Sequence, residues 1–175
     1  MRSALPKVLH PLGGLPFMQH VIHAARQLEP ASIHVVYGHG GEQVREALGH
    51  EALNWVLQEQ QLGTGHAVDQ VMAWVSDNDM LLVLYGDVPL IQADTLRHLL
   101  VHAENGGVSV LTATLNDPSG YGRIMRDADG KLLGIVEQKD ASEEQLNIRE
   151  INTGFRAATA SRLRGWMHRL NHSNT

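Results

Sequence analysis

Apolar and polar residues alternate along this chain in blocks whose period changes from one stretch to the next. Met18, Val21, Ile22, Ala25 and Leu28 share one face of a helix that follows Pro16, a residue suited to a first helical turn. Short apolar runs then predict strands around Ile33 to Tyr37 and around Trp55 to Leu57, separated by a short helix around Glu42 to Leu48. A helix around His66 to Val75 comes next. The run Met80 to Leu84 has no polar alternation and reads as a strand buried on both faces. A helix opened by Asp94 runs to about Ala103, and Val108 to Leu115 supplies a further strand. This βα alternation predicts a doubly wound α/β fold, Rossmann-like, with a mixed, mostly parallel sheet flanked by helices.

After Leu115 the pattern changes. Asp127-Ala128-Asp129-Gly130-Lys131 separates two strand-like runs, Gly122 to Arg126 and Leu132 to Glu137, and predicts a hairpin. Ile151 to Ala157 predicts another strand and Ser161 to Leu170 a closing helix. No linker, low-complexity run or repeat divides the chain, so residues 1–175 read as one domain. The alternation opens on a loop and a helix, whereas a doubly wound sheet normally opens on a strand. Either the fold departs from that plan or its first strand lies upstream of Met1.

Composition narrows the class only at a few points. A formal net charge of -5 argues against a general nucleic-acid binder, whose affinity comes from neutralised phosphates. Cysteine is absent, which removes disulfides and thiolate metal sites and agrees with a reducing cytoplasm. No apolar run reaches the roughly 18 residues of a membrane span, and no signal-peptide core is present at the N-terminus. The expectation is therefore a cytoplasmic protein bound to neither nucleic acid nor membrane.

Several stretches carry candidate chemistry. Asp87 ends the Met80 strand beside Gly86, at the carboxyl edge where open α/β sheets bind ligands. It reads either as the start of a turn with Pro89 or as a carboxylate for a hard cation such as Mg²⁺, which takes one or two carboxylates and shares the rest with phosphate and water. Gln61-Leu62-Gly63-Thr64-Gly65-His66 lies where a strand-to-helix loop meets its helix. It reads either as a backbone surface close to a ligand or as a plain turn capped by Thr64. Lys7, flanked by apolar residues, is either a solvated side chain or a point charge for phosphate. Gly38-His39-Gly40-Gly41 lacks the glycine a dinucleotide fingerprint needs at Gln43, so it reads as a turn feeding a helix. The pairs His20/His23 and His98/His102 share helix faces but have no acid in a zinc-protease pattern. No Ser/His/Asp set stands out.

Together these stretches resemble a family. Leu5-Pro6-Lys7, Gln58 with Gly63-Thr64-Gly65-His66, Tyr85-Gly86-Asp87-Val88-Pro89-Leu90, Tyr121-Gly122-Arg123, Val136-Glu137 and Glu150-Ile151-Asn152-Thr153-Gly154 occur in its order. The family is the uridylyltransferase domain of bacterial bifunctional N-acetylglucosamine-1-phosphate uridyltransferase/glucosamine-1-phosphate acetyltransferase. The resemblance implies a nucleotide-diphospho-sugar transferase fold and Mg²⁺-dependent conversion of UTP and N-acetylglucosamine 1-phosphate to UDP-N-acetylglucosamine and pyrophosphate. That product feeds peptidoglycan and lipopolysaccharide synthesis.

The resemblance also implies roles. Asp87 becomes a Mg²⁺ ligand and Lys7 a phosphate contact, the two catalytic candidates. Gln58, Gly63 and Thr64 contact the uracil end, Tyr85 and Gly86 lie along the nucleotide, and Gly122, Glu137 and Asn152 hold the amino sugar. In the family a first strand and a glycine-rich phosphate loop ending in Gly-Thr-Arg-Met precede the Leu-Pro-Lys stretch, and Met1 matches that last methionine. The expectation is a domain incomplete at both ends, without the acetyltransferase domain and the trimer that domain builds. Two alternatives stand beside this one: a sugar-1-phosphate nucleotidylyltransferase of other specificity, and a non-catalytic chain binding a nucleotide or a partner.

Overall fold

The computed structural model describes residues 5–104 and 107–167. Met1, and residues 168–170 of the expected closing helix, lie outside them. A short 3-10 turn at Lys7–Leu9 leads into two two-residue strands, β1 (Pro11–Leu12) and β2 (Leu15–Pro16), which form a tight antiparallel pair. Helix α1 (Phe17–Arg26) starts immediately after Pro16, which caps the helix from outside. Strands β3 (His34–Tyr37) and β4 (Asn54–Leu57) run parallel, joined through α2 (Glu42–Leu48). The Gly38–Gly41 stretch is the turn that feeds α2, with Gly41 at its N-cap.

The expected long helix after β4 is two pieces. Helix α3 (Thr64–Asp69) ends early, and a 3-10 turn at Met72–Trp74 follows, burying Val71 and Met72. Then come β5 (Met80–Val83), α4 (Ala93–Glu104), β6 (Ser109–Thr114), the hairpin β7 (Arg123–Arg126) and β8 (Leu132–Val136), α5 (Glu143–Leu146), β9 (Glu150–Thr159) and α6 (Ala160–Met167).

The mixed α/β class holds, but the parallel character does not. Among the described ladders only β3–β4 is parallel. The reason is β9. This ten-residue strand runs antiparallel to β6 along one edge. Its other edge meets β5 near its end and β7 near its start, through Met80↔Thr159 to Val83↔Arg156 and Arg123↔Ile151. A strand laid antiparallel between neighbours that run the same way turns a parallel arrangement into a run of antiparallel ladders. Arg126 ties β7 to β9 with a forked pair onto Glu150, 2.8 and 2.6 Å, and holds the Glu150 carboxyl below the usual carboxylate range.

The core falls into layers around this sheet. Met80, Leu82 and Leu84 pack with Leu99, Ala103 and Phe155 under α4, while Leu81 turns to Met72, Ala158 and Leu163 beside α6. The Met80 run is thus covered on both faces, as its lack of alternation predicts. Every residue of β5 nevertheless stays half-buried; among the described residues β5 bonds only β9 and β3 only β4. Among the described residues no ladder joins the β3–β4 pair to the five-stranded sheet. That pair is held instead by a cluster of Leu9, Ile22, Val44 and Leu48, with Ile33, Leu53 and Trp55 against it. Glu51 reinforces it by accepting from Gln19 at 3.0 Å and from Arg26, whose guanidinium lowers the Glu51 pKa.

Candidate active site

The segments that follow β4 and β5 meet where Thr64 Oγ1 and the Tyr85 hydroxyl lie 3.1 Å apart. Beyond β5 the chain continues as Leu84-Tyr85-Gly86-Asp87, and the 3-10 turn preceding β1 brings Lys7 to the same place. Lys7 Nζ lies 2.6 Å from Asp87 Oδ2, across 80 residues of sequence. The two side chains are 60% and 32% exposed, so the pair is open to a ligand and worth little as a stabilising bridge. The carboxylate holds the Lys7 ammonium above its ordinary pKa, keeping a fixed positive charge beside it. Val8 and Met18 press on Gly86 closely enough that a Cβ there would touch both, so the glycine lets the 3-10 turn and α1 approach.

Asp87 Oδ1 accepts no hydrogen bond among the described residues. No group of three or more His, Cys, Asp or Glu side chains able to hold a metal occurs among them either. One outward carboxylate fits a magnesium ion coordinated mainly by phosphate and water and does not fit a closed protein cage.

Tyr85 links the two flanks of this centre. Its hydroxyl lies 3.1 Å from Thr64 Oγ1, and its ring stands edge-on to Phe155 at 5.8 Å. Thr64 therefore does not cap α3: Gly63 holds the N-cap position with φ 94°, and the threonine hydroxyl points to Tyr85 instead. Gln58, only 8% exposed, donates from Nε2 to the Gly63 carbonyl at 3.2 Å and lies 2.9 Å from His66 Nδ1. These contacts fix the loop between β4 and α3.

On the other flank Gly122, Glu137 and Asn152 form a second group. The Asn152 backbone N–H donates to the Gly122 carbonyl at 2.9 Å, and a Cβ on Gly122 would lie 3.0 Å from Glu137 Oε1. Asn152 Oδ1 accepts from the Gly154 amide at 2.9 Å, turning the chain so that Gly154 takes φ 87°.

Sequence reasoning quoted Gly154 without giving it a role. A Cβ there would collide with the Tyr85 ring, so this glycine seats the tyrosine. Gly154→Ala is expected to displace Tyr85 from Thr64 and to lower stability by about 1–3 kcal/mol, through both overlap and a left-handed backbone. Tyrosine fluorescence quenching and a urea melt check it; an unchanged midpoint would show that the ring has another seat. His66 was also given no role of its own. Its only sequence signal is its place one residue after the Gly63-Thr64-Gly65 turn. The ten candidate residues fall into the three groups just described, which Tyr85 connects: it touches Thr64 on one side and, on the other, Gly154, whose amide Asn152 holds.

The sequence profile of the MobA-like NTP transferase domain matches residues 1–146. The chain belongs to this family. Bifunctional protein GlmU of Stenotrophomonas maltophilia strain R551-3 is 59% identical over 175 residues, and that of Pseudomonas fluorescens strain Pf0-1 is 58% identical over 174. Each alignment covers 99% of this chain and 38% of the relative, so the chain spans well under half the length of the curated relatives it matches. Within that span this MobA-like domain is homologous to the N-terminal part of GlmU.

Solved structures match at low identity and bear on the fold alone. A UDP-glucose pyrophosphorylase complexed with UDP-glucose superposes with TM-score 0.71 at 18% identity, covering 91% of this chain and 70% of that one. A Bacillus anthracis chain assigned as a glucose-1-phosphate thymidylyltransferase gives TM-score 0.75 at 19% identity, covering 94% and 70%. The nucleotide-diphospho-sugar transferase fold is therefore that of this chain. Among the described residues no helix is long and apolar enough to cross a membrane.

Proposed function

We propose that the chain is the single nucleotidyl-transfer domain of an enzyme that moves UMP from UTP to N-acetylglucosamine 1-phosphate. The products are UDP-N-acetylglucosamine and pyrophosphate, and the setting is the cytoplasm. The observation that carries this reading is the Lys7–Asp87 pair at the end of β5, with Tyr85 two residues away touching the loop of Gln58, Gly63 and Thr64 on one side and Gly154 on the other. A nucleotidyl-sugar transfer needs a charge-neutralising centre flanked by one recognition surface for a base and one for a sugar. The choice of UTP and N-acetylglucosamine 1-phosphate follows the motif resemblance to the uridylyltransferase family, and homology to the N-terminal part of GlmU supports it.

An oxygen of the sugar phosphate attacks the α-phosphorus of UTP. The bond from that phosphorus to the bridging oxygen breaks, and its electron pair leaves with pyrophosphate. The attacking group is already an anion, so neither a protein nucleophile nor a general base is required. The chain's task is alignment and charge neutralisation. Lys7 offsets charge on the phosphates, and Asp87 would hold a Mg²⁺ ion, which would supply further neutralisation of phosphate charge. Gln58, Gly63 and Thr64 bind the base, Tyr85 and Gly86 line the nucleotide, and Gly122, Glu137 and Asn152 bind the amino sugar.

Pyrophosphate release tests the reading in the protein carried to the length of its relatives. It is expected with UTP and N-acetylglucosamine 1-phosphate together and with neither alone. Glu137→Ala is expected to raise KM for the sugar phosphate about tenfold or more while leaving that for UTP nearly unchanged, because the exposed carboxylate would be covered by the bound sugar and a polar contact so covered contributes about 1–3 kcal/mol. Equal losses for both ligands would show that the two recognition surfaces are not separate. Faster turnover of thymidine triphosphate with glucose 1-phosphate would overturn the substrate assignment.

A further inference from the structure

The contacts around Gln58 determine which face of its amide is offered to a ligand, and they pass through His66. A carbonyl oxygen can only accept, so the bond to the Gly63 carbonyl requires the amide nitrogen of Gln58 on that side. The second N–H of the same nitrogen faces His66 Nδ1 at 2.9 Å. That N–H is satisfied only if Nδ1 carries no proton. The His66 proton then sits on Nε2, where the Gln70 amide nitrogen lies 3.2 Å away. Two nitrogens that both carry hydrogen cannot bond, so this assignment requires the Gln70 amide to turn and present its oxygen, which Gln58, tied to the Gly63 carbonyl, is not free to do.

This relay leaves one atom over. Gln58 Oε1 has no hydrogen-bond partner among the described residues, and it is not among the buried atoms left unsatisfied, so solvent reaches it. Gln58 itself is 8% exposed, which makes that oxygen an isolated acceptor at the surface of a buried side chain.

We propose that His66 is a positioning residue for base selection: through Nδ1 it locks Gln58 so that the amide oxygen, and not the amide nitrogen, faces the nucleotide. This rests on the uridylyl-transfer reading and deepens it. An acceptor at that point matches a base whose ring edge carries an N–H, as uracil does. It opposes a base with a lone pair there, as cytosine has. If His66 offered a proton at Nδ1, Gln58 could satisfy it only by reversing its amide, which would set carbonyl against carbonyl at Gly63. The neutral Nε2–H form of His66 and the acceptor face of Gln58 thus belong together.

Titration of the chain with UTP and, separately, with CTP, followed by amide chemical shifts, tests this. The unaltered chain is expected to prefer UTP. His66→Ala is expected to lose roughly tenfold of that preference, the worth of one hydrogen bond of about 1.4 kcal/mol, with its melting temperature little changed. His66→Asn, which can keep an acceptor near the Nδ1 position, is expected to retain most of it. The imidazole nitrogen-15 spectrum of the unaltered chain is expected to show an unprotonated Nδ1. A His66→Ala chain that discriminates as well as the unaltered one overturns the positioning role alone. An unaltered chain that binds the two nucleotides equally, or binds neither, overturns the uridylyl reading and this proposal with it.

Discussion

Asp87→Asn, made in the protein carried to the length of its relatives, is expected to reduce Mg²⁺-dependent pyrophosphate release at least ~100-fold while the fold survives. The amide keeps the shape of the carboxylate and removes the charge that would attract a hard cation. Stability is expected to change little, because the only described side-chain partner of Asp87 is the exposed Lys7, and solvent screens such a pair. A Mg²⁺ titration separates the two roles at this centre. Asp87→Asn shifts the midpoint to higher Mg²⁺, whereas Lys7→Ala lowers turnover without moving it. Full activity of Asp87→Asn at limiting Mg²⁺ would reduce the residue to the first position of a turn.

The second large effect is on stability. β5 and β3 each have one edge without a ladder among the described residues, although β5 has helices packed over both faces. Backbone N–H and C=O groups on a strand so covered are costly when unpaired, and an open flat edge invites pairing with another chain. Adding an extended apolar segment ahead of Met1 to pair with β5 is expected to raise the melting temperature by ~10 °C or more. At this chain length each kcal/mol moves the midpoint by about 2–4 °C, and several backbone bonds and covered side chains are gained. Without it the chain is expected to be marginal, at the low end of the usual ~5–15 kcal/mol, and to self-associate in proportion to concentration. Thermal melts by circular dichroism, with sedimentation at two concentrations, check both points. A monomer with a sharp, high melt that the added segment does not move would show that the open edges are harmless.

Local periodicity revealed most of the elements and little of how they meet. Glu42–Leu48 falls where its pattern puts it, and the Asp127–Lys131 turn joins β7 to β8 as its composition demands. β9 was harder to read. Glu150, Asn152, Thr153 and Arg156 interrupt its apolar residues, and nothing local records that it lies antiparallel between β5 and β6. That single placement is why the sheet is not mostly parallel.

The site divides in the same way. Asp87 at a strand end is legible because the strand before it is legible. Lys7 against Asp87 is not, since no local rule relates positions 80 residues apart. The relay through His66 is still less visible, for it depends on which atom of an amide faces which carbonyl.

The late position of β9 has a consequence for how the protein is made. β9 is the partner of β5, β6 and β7, and all three precede it in the chain. On a ribosome they emerge with apolar side chains and open edges; the β7–β8 hairpin can pair at once, but every ladder to β9 waits for residues 150–159. Contacts between segments so far apart in sequence are slow to form, and half-built sheets are prone to aggregate. A nascent chain whose emerged part ends just before Glu150 would therefore be a preferred client of the chaperones that shield unfinished strands, while one that has emerged past Thr159 could already bury its central sheet.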